Sequence, residues 1–81
     1  MSDSISKILI SSYSDDIIIV DGELNFEDTV FNFANRIIED MPINKQKKLF
    51  GQEYTDSEEM YSYLICHVND LREELENTIQ K

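Results

Sequence analysis

The sequence predicts an α+β domain in which a small antiparallel β-hairpin, or a three-stranded meander, precedes three helices. Two segments rich in β-branched residues near the N-terminus predict the strands, and later segments carry apolar residues at helical spacing. The chain has 81 residues, enough for one hydrophobic core and too few for two. We therefore expect residues 1–81 to form a single compact domain.

The predicted strands lie in residues 6–14 and 15–22, with the sequences SKILISSYS and DDIIIVDG. We expect them to pair as an antiparallel hairpin through Ser14 and Asp15. Residues 17–20 are aliphatic without polar alternation, which favours a strand covered on both faces or placed centrally. Asp21-Gly22 is a strong tight-turn signal, so Glu23 and Leu24 can add a short third strand.

The first predicted helix begins after Asn25, a good N-cap residue, and ends near Pro42. Glu27 and Asp28 fall in its first turn, where the helix dipole favours negative charge. The residues that share one stripe at 100° per residue are Phe26, Val30, Phe33, Ile37 and Met41, widened by Phe31, Ala34 and Ile38. This pattern predicts an amphipathic helix with a broad buried face.

Two further helices are predicted after Pro42. A short one is capped by Asn44 and ends at Gly51, with lysines near its negative C-terminal end. The residues from Thr55 to Glu58 match a capping box and open the last helix. We expect this last helix to be the longest and to run nearly to Lys81.

The last helix has two interpretations that the sequence leaves open. Its apolar residues follow the spacing of a heptad seam, and between Met60 and Val68 it is apolar nearly all round. One interpretation inserts this half between the sheet and another helix. The other makes it an interface with a partner or a second copy, as in a homodimer. The residues of that interface would be Tyr63, Leu64, Ile65, Val68, Leu71 and Leu75.

Catalytic, cofactor and metal motifs are not found in the sequence. His67 is the only histidine and Cys66 the only cysteine, too few ligands for zinc, and helix neighbours point about 100° apart. The acidic stretch around Gly22 fails the EF-hand pattern because Ile17 and Ile19 occupy ligand positions. Gly22 and Gly51 are too far apart for a phosphate-binding loop. We expect no cofactor, no metal and no enzymatic activity.

The cellular location is predicted from three negative observations. A lone cysteine gives no reason to expect an oxidising compartment. The N-terminal segment has an acid in place of the basic region of a signal peptide. No stretch approaches the ~20 apolar residues that a membrane helix needs. We therefore expect a cytoplasmic protein without membrane insertion.

Charge is the most informative property of the chain. It has 17 acidic and 7 basic residues, a formal net charge of −10 and a pI near 4.2. Residues 1–41 hold nine acids and two bases, net −7, and residues 42–81 hold eight and five, net −3. This charge disfavours direct binding of nucleic acid and favours a protein partner with a basic surface.

We interpret the charge as that of a small acidic inhibitor or accessory factor. An ordered array of carboxylates can imitate nucleic-acid phosphates and bind the basic groove of a protein that handles DNA or RNA. In size, acidity and α+β pattern the chain resembles the small inhibitors that phages carry against host defence machinery. The predicted contacts are Asp15, Asp16, Asp21, Glu23, Glu27, Asp28, Glu39 and Asp40. The alternative is a homo-oligomeric accessory or structural protein that assembles through its last helix.

Overall fold

The computed structural model describes residues 4–79, which contain five α-helices and one two-stranded antiparallel hairpin. The elements in chain order are α1 (Ile5–Ser12), a 3-10 helix (Ser14–Asp16), β1 (Ile19–Val20), β2 (Glu23–Leu24), α2 (Phe26–Asp40), α3 (Ile43–Phe50), α4 (Ser57–His67) and α5 (Leu71–Ile79). The expected combination of helices with a small antiparallel hairpin is therefore found. The expected number of three helices is wrong, and the hairpin follows a helix instead of opening the chain.

The segment predicted as the first strand is the helix α1. Ser4 caps it by accepting a hydrogen bond from the backbone N–H of Lys7. Ser6, Leu9 and Ile10 share its buried face, at the spacing of three and four that a helix needs. The β-branched residues of this segment favour a strand only weakly, and burial against α5 outweighs that preference. The predicted turn at Ser14 and Asp15 lies in the 3-10 helix instead.

The hairpin forms around the predicted Asp21-Gly22 turn. Both turn residues have positive φ, 54° and 81°, which a two-residue hairpin turn of this kind requires. Ile19 pairs with Leu24, and Val20 with Glu23. Ile19 and Val20 are 50% and 52% exposed, so the predicted cover on both faces of this strand is wrong. With only two strands in residues 4–79, one short ladder leaves these side chains at the surface.

The longest helix of the described chain is α2, with 15 residues, and not the C-terminal one. Asn25 caps it as predicted, because its Oδ1 accepts a hydrogen bond from the backbone N–H of Asp28. Ile18 anchors the hairpin to this helix by donating its backbone N–H to Thr29 Oγ1 at 2.9 Å. The inward face of α2 is Val30, Phe33, Ala34 and Ile37, all fully buried.

The short helix α3 begins one residue earlier than its predicted cap. Pro42 and not Asn44 occupies the N-cap position, and Gly51 ends the helix with a φ of 84°, as predicted. Gln46 is 2% exposed inside the fold. Its Nε2 donates to the carbonyls of Ile37 and Met41, and its Oε1 accepts from the N–H of Tyr54. This amide therefore joins the end of α2 to the loop that follows α3.

The predicted long C-terminal helix is two helices. The first, α4, is capped by Asp56 and not by Thr55, and it ends at His67; α5 begins at Leu71. The corner between them is tied to α1, because the buried Ser6 hydroxyl donates a hydrogen bond to Asp70. The predicted continuation to Lys81 passes beyond the described residues.

One hydrophobic core lies between the helices. In it α2 packs against α4, and α1 packs against α5. The buried apolar residues are Leu9, Ile10, Val30, Phe33, Ala34, Ile37, Met41, Phe50, Met60, Leu64, Val68, Leu71 and Leu75. This arrangement leaves the hairpin turn at the surface and places the first turn of α2 beside the first turn of α4.

Candidate functional site

The eight predicted contact residues fall into three groups: two pair with Arg36, four lie together at one edge, and two lie on other elements. Asp16 and Asp40 form surface ion pairs with Arg36, whose Nε lies 2.8 Å from Asp16 and whose Nη1 lies 2.7 Å from Asp40. These two hydrogen bonds raise the pKa of Arg36. The positive charge of Arg36 thereby partly compensates the negative charges of Asp16 and Asp40 in the protein on its own.

Four of the remaining carboxylates lie together. Asp21 and Glu23 belong to the hairpin, and Glu27 and Asp28 to the first turn of α2; all four are exposed. We call these four residues the acidic edge. The hairpin turn, the ladder and the Asn25 cap fix their backbone positions, and Asn25 Nδ2 also donates to Asp28 at 2.8 Å. The carboxylates are therefore displayed at set positions on a folded surface.

Asp15 and Glu39 are exposed but lie on other elements. Asp15 is in the 3-10 helix, and Glu39 is next to the last residue of α2, at the opposite end from Glu27. A helix rises about 1.5 Å per residue, and Glu39 is 12 positions after Glu27, so their backbones are roughly 18 Å apart. The eight predicted residues thus do not converge on one site.

A cleft runs along the acidic edge at the hairpin. It has a volume of about 490 Å³, and its lining includes Asp21, Glu23, Glu27 and the base Arg72. The guanidinium of Arg72 lies 4.9 Å from the centre of the Phe26 ring and 3.7 Å from Glu76. Stacking on Phe26 and pairing with Glu76 hold this cation on the α5 side of the cleft.

A second groove lies between α2 and α4, with a volume of about 440 Å³. We call it the α2–α4 groove; its lining residues are Glu27, Asp28, Phe31, Glu58, Tyr61 and Ser62. The rings of Phe31 and Tyr61 are in contact, with centroids 5.7 Å apart and an angle of 45° between their planes. Glu27 lines both this groove and the hairpin cleft, so the groove continues the acidic edge.

Sequence reasoning missed the α2–α4 groove because it assigned Phe31 to the buried stripe. Phe31 is 42% exposed, so that assignment is wrong. Its position about 100° around the helix from Val30 was the available signal. Glu58 and Tyr61 join Phe31 only because α4 packs against α2, which no local pattern specifies.

Most residues of the seam predicted for the last helix are buried in the hydrophobic core. Leu64, Leu71 and Leu75 are fully buried and Val68 is 7% exposed, which agrees with the intramolecular interpretation. Tyr63 is half-buried in a cluster with the rings of Phe50, Tyr54 and His67. Ile65, at 38% exposure, is the one residue of the predicted interface that lies openly on the surface.

The histidine and the cysteine do not form a site in the described chain. His67 stacks 5.0 Å from Tyr63, and Cys66 is exposed beside it. Within residues 4–79, no group of three or more histidine, cysteine, aspartate or glutamate side chains is placed to hold a metal ion. None of the helices described is long and apolar enough to cross a bilayer.

Comparisons of the chain with protein-family models, with curated proteins and with solved structures find no match. The function is therefore inferred from the residues of this chain alone.

Proposed function

We propose that this protein is a non-enzymatic protein-binding domain whose acidic edge binds a basic surface on another protein. The observation that carries the proposal is the placement of Asp21, Glu23, Glu27 and Asp28 on one exposed, folded edge. Among residues 4–79, no lysine or arginine forms an ion pair with any of these four. Within those residues no ion pair neutralises their charge, which supports binding to a basic partner.

Long-range electrostatics favours the same class of partner. The net charge of −10 attracts a basic protein over a distance of about a Debye length and repels nucleic acid and anionic membranes. Carboxylates at fixed spacing on a folded edge also suit the grooves in which other proteins hold nucleic-acid phosphates. The finer form of the proposal is therefore an inhibitor or accessory factor of a nucleic-acid-handling protein, comparable to the anti-defence proteins of phages.

The first step of the test identifies the partner. The tagged protein is used to capture proteins from a lysate of its host, with and without nuclease, and the bound proteins are released by a salt step and identified by mass spectrometry. We expect one basic protein that binds equally after nuclease treatment and is released by salt. A partner retained only through nucleic acid would contradict direct binding.

The second step assigns the surface, using the purified partner. The variant Asp21→Asn/Glu23→Gln/Glu27→Gln removes three charges from the acidic edge with little change in side-chain shape. Exposed ion pairs are worth about 0.2–1 kcal/mol each, so we expect roughly tenfold weaker binding and a smaller dependence of affinity on salt. The matched control Glu53→Gln/Glu59→Gln/Glu73→Gln removes three exposed charges elsewhere. Equal losses in the two variants, or none in the first, would contradict the proposal.

A further inference from the structure

We infer that the α2–α4 groove is the anchor site for an amphipathic basic segment of the partner. Such a segment carries large apolar side chains on one face and lysine or arginine beside them. The inference rests on the proposed function and deepens it, because it names the kind of segment that the acidic surface binds.

The floor of the groove is formed by the exposed ring of Phe31 and the half-buried ring of Tyr61. Phe31 is 42% exposed although it is a large hydrophobic side chain, and its ring packs at an angle of 45° against the ring of Tyr61. Ile65 follows Tyr61 by one helical turn on α4, outside the lining of the groove, and its 38% exposure extends the apolar surface along that helix. Burial of such side chains by a partner removes apolar surface from water, at about 25 cal/mol for each Å². Aromatic residues of this kind are the usual anchors of protein interfaces.

The rim of the groove is acidic. Glu27 and Asp28 come from the first turn of α2, and Glu58 comes from the first turn of α4. Their positions in first turns are accounted for by the helix dipoles. The dipoles do not account for the exposed ring of Phe31, which lies with the half-buried ring of Tyr61 in the same groove. Apolar floor and acidic rim together complement a segment that presents leucine-like side chains flanked by positive charge.

The same charges disfavour a second copy of this chain as the occupant. A twofold contact through the groove would place Glu27, Asp28 and Glu58 of one protomer against the same residues of the other. Like charges opposed in this way weaken association. None of the basic residues in the described part of the chain lines the groove: Lys45, Lys47 and Lys48 lie on α3, and Lys7, Arg36 and Arg72 lie on α1, α2 and α5.

The test uses a synthetic amphipathic helix of leucine and lysine, about 18 residues long so that it can form a helix on binding. Two control peptides keep its length: one replaces every leucine by serine, and the other replaces every lysine by glutamate. Binding is followed by backbone amide chemical shifts of the labelled protein and by titration. We expect the leucine–lysine peptide to shift the signals of residues 27–31 and 58–65 most. We expect both control peptides to bind at least tenfold more weakly.

Paired variants separate the groove from general charge attraction. Phe31→Ala/Ile65→Ala removes the exposed apolar side chain of the groove and the one a turn beyond it on α4, and we expect at least tenfold weaker binding of both the leucine–lysine peptide and the captured partner. The control Ile43→Ala removes an exposed apolar side chain from α3, which lines neither the groove nor the hairpin cleft, and should change affinity less than twofold. Circular dichroism confirms that each variant keeps its helices.

The failure of this inference and the failure of the proposed function give different results. Unchanged binding of the partner by Phe31→Ala/Ile65→Ala, together with a loss in the acidic-edge variant, overturns the groove inference and leaves the proposed function standing. Unchanged binding in the acidic-edge variant overturns the proposed function itself. A dimer in sedimentation experiments that Phe31→Ala/Ile65→Ala converts to a monomer would also overturn the inference, because the occupant would then be a second copy.

Discussion

Phe31 and Phe33 are two residues apart on α2 and lie in opposite environments. Phe33 is fully buried and contacts the ring of Tyr13, with centroids 6.0 Å apart, whereas Phe31 is 42% exposed and lines the α2–α4 groove. The inward face of the helix also carries Val30, Ala34 and Ile37, and the outer face carries Glu27 and Asp28. The two faces of this helix therefore have different roles: the inner face stabilises the fold, and the outer face presents the surface that we propose binds a partner.

The largest difference between the two faces should be in stability. Phe33→Ala leaves a cavity in the core and should lower the free energy of unfolding by about 3–5 kcal/mol, a large part of what a domain of this size has. Phe31→Ala removes a half-exposed ring and should cost about 1 kcal/mol or less. Urea denaturation followed by circular dichroism measures both. Equal costs for the two variants would show that the faces do not differ as described.

The next effect concerns the polar contact at the C-terminal end of α2. Gln46→Leu removes an amide that bonds the carbonyls of Ile37 and Met41 and the N–H of Tyr54, and leaves these buried groups without that partner. We expect a loss of about 2–3 kcal/mol in urea denaturation. Gln52→Leu, at an exposed position, is the control and should be nearly neutral. A neutral Gln46→Leu would mean that the amide does not hold α2 to α3.

A smaller effect is expected at the side of α2, where Arg36 engages two acids. Arg36→Gln frees Asp16 and Asp40 and should lower the stability slightly, less than Gln46→Leu does, and only at low salt. The same variant removes a positive charge, which makes the net charge of the protein more negative, and should raise the association rate with a basic partner. Thermal denaturation at low and high salt, and stopped-flow binding, measure the two effects. A loss of stability that persists at high salt would contradict a surface ion pair.

The smallest effect is the alkaline dependence of stability that Tyr13 contributes. Burial raises the pKa of the Tyr13 phenol above its usual 10, and the carboxylate of Asp40 raises it further. The folded protein then keeps this proton at a pH where the unfolded chain loses it. Tyr13 stabilises the fold fully below pH 10, and this stability is lost as the pH rises from 10 through the raised pKa. Tyr13→Phe should have a shallower loss of stability above pH 10 in urea denaturation; identical slopes would contradict the raised pKa.

Elements with local signals could be predicted from the sequence, and elements set by distant contacts could not. The Asn25 cap, the Asp21-Gly22 turn and the Gly51 helix end each depend on a few neighbouring residues, and each is where the sequence predicts it. The heptad spacing across the corner between α4 and α5 predicted one continuous helix. The contact that ties this corner to the fold, between Asp70 and Ser6, joins residues 64 positions apart and leaves no local signal. For α1, β-branched residues predicted a strand, while its burial against α5 favours a helix.

In the candidate site, too, local features could be predicted from the sequence and contacts between distant residues could not. All four residues of the acidic edge were among the predicted contacts, because charge is visible in the sequence. The pairing of Asp16 with Arg36, 20 residues away, and the apposition of Phe31 and Tyr61 depend on how the elements pack. Sequence reasoning therefore gave the charge of the surface but not which carboxylates are free or where the apolar anchor lies.

The most direct test of the difference between the faces of α2 is the binding footprint of the purified partner on the labelled protein, mapped by amide chemical shifts and line broadening. We predict that the signals of the acidic edge and of the α2–α4 groove, residues 21–31 and 58–65, change most, and that the effect weakens as salt is added. A footprint centred on Lys45, Lys47 and Lys48 of α3, or on α5, would contradict the proposed function.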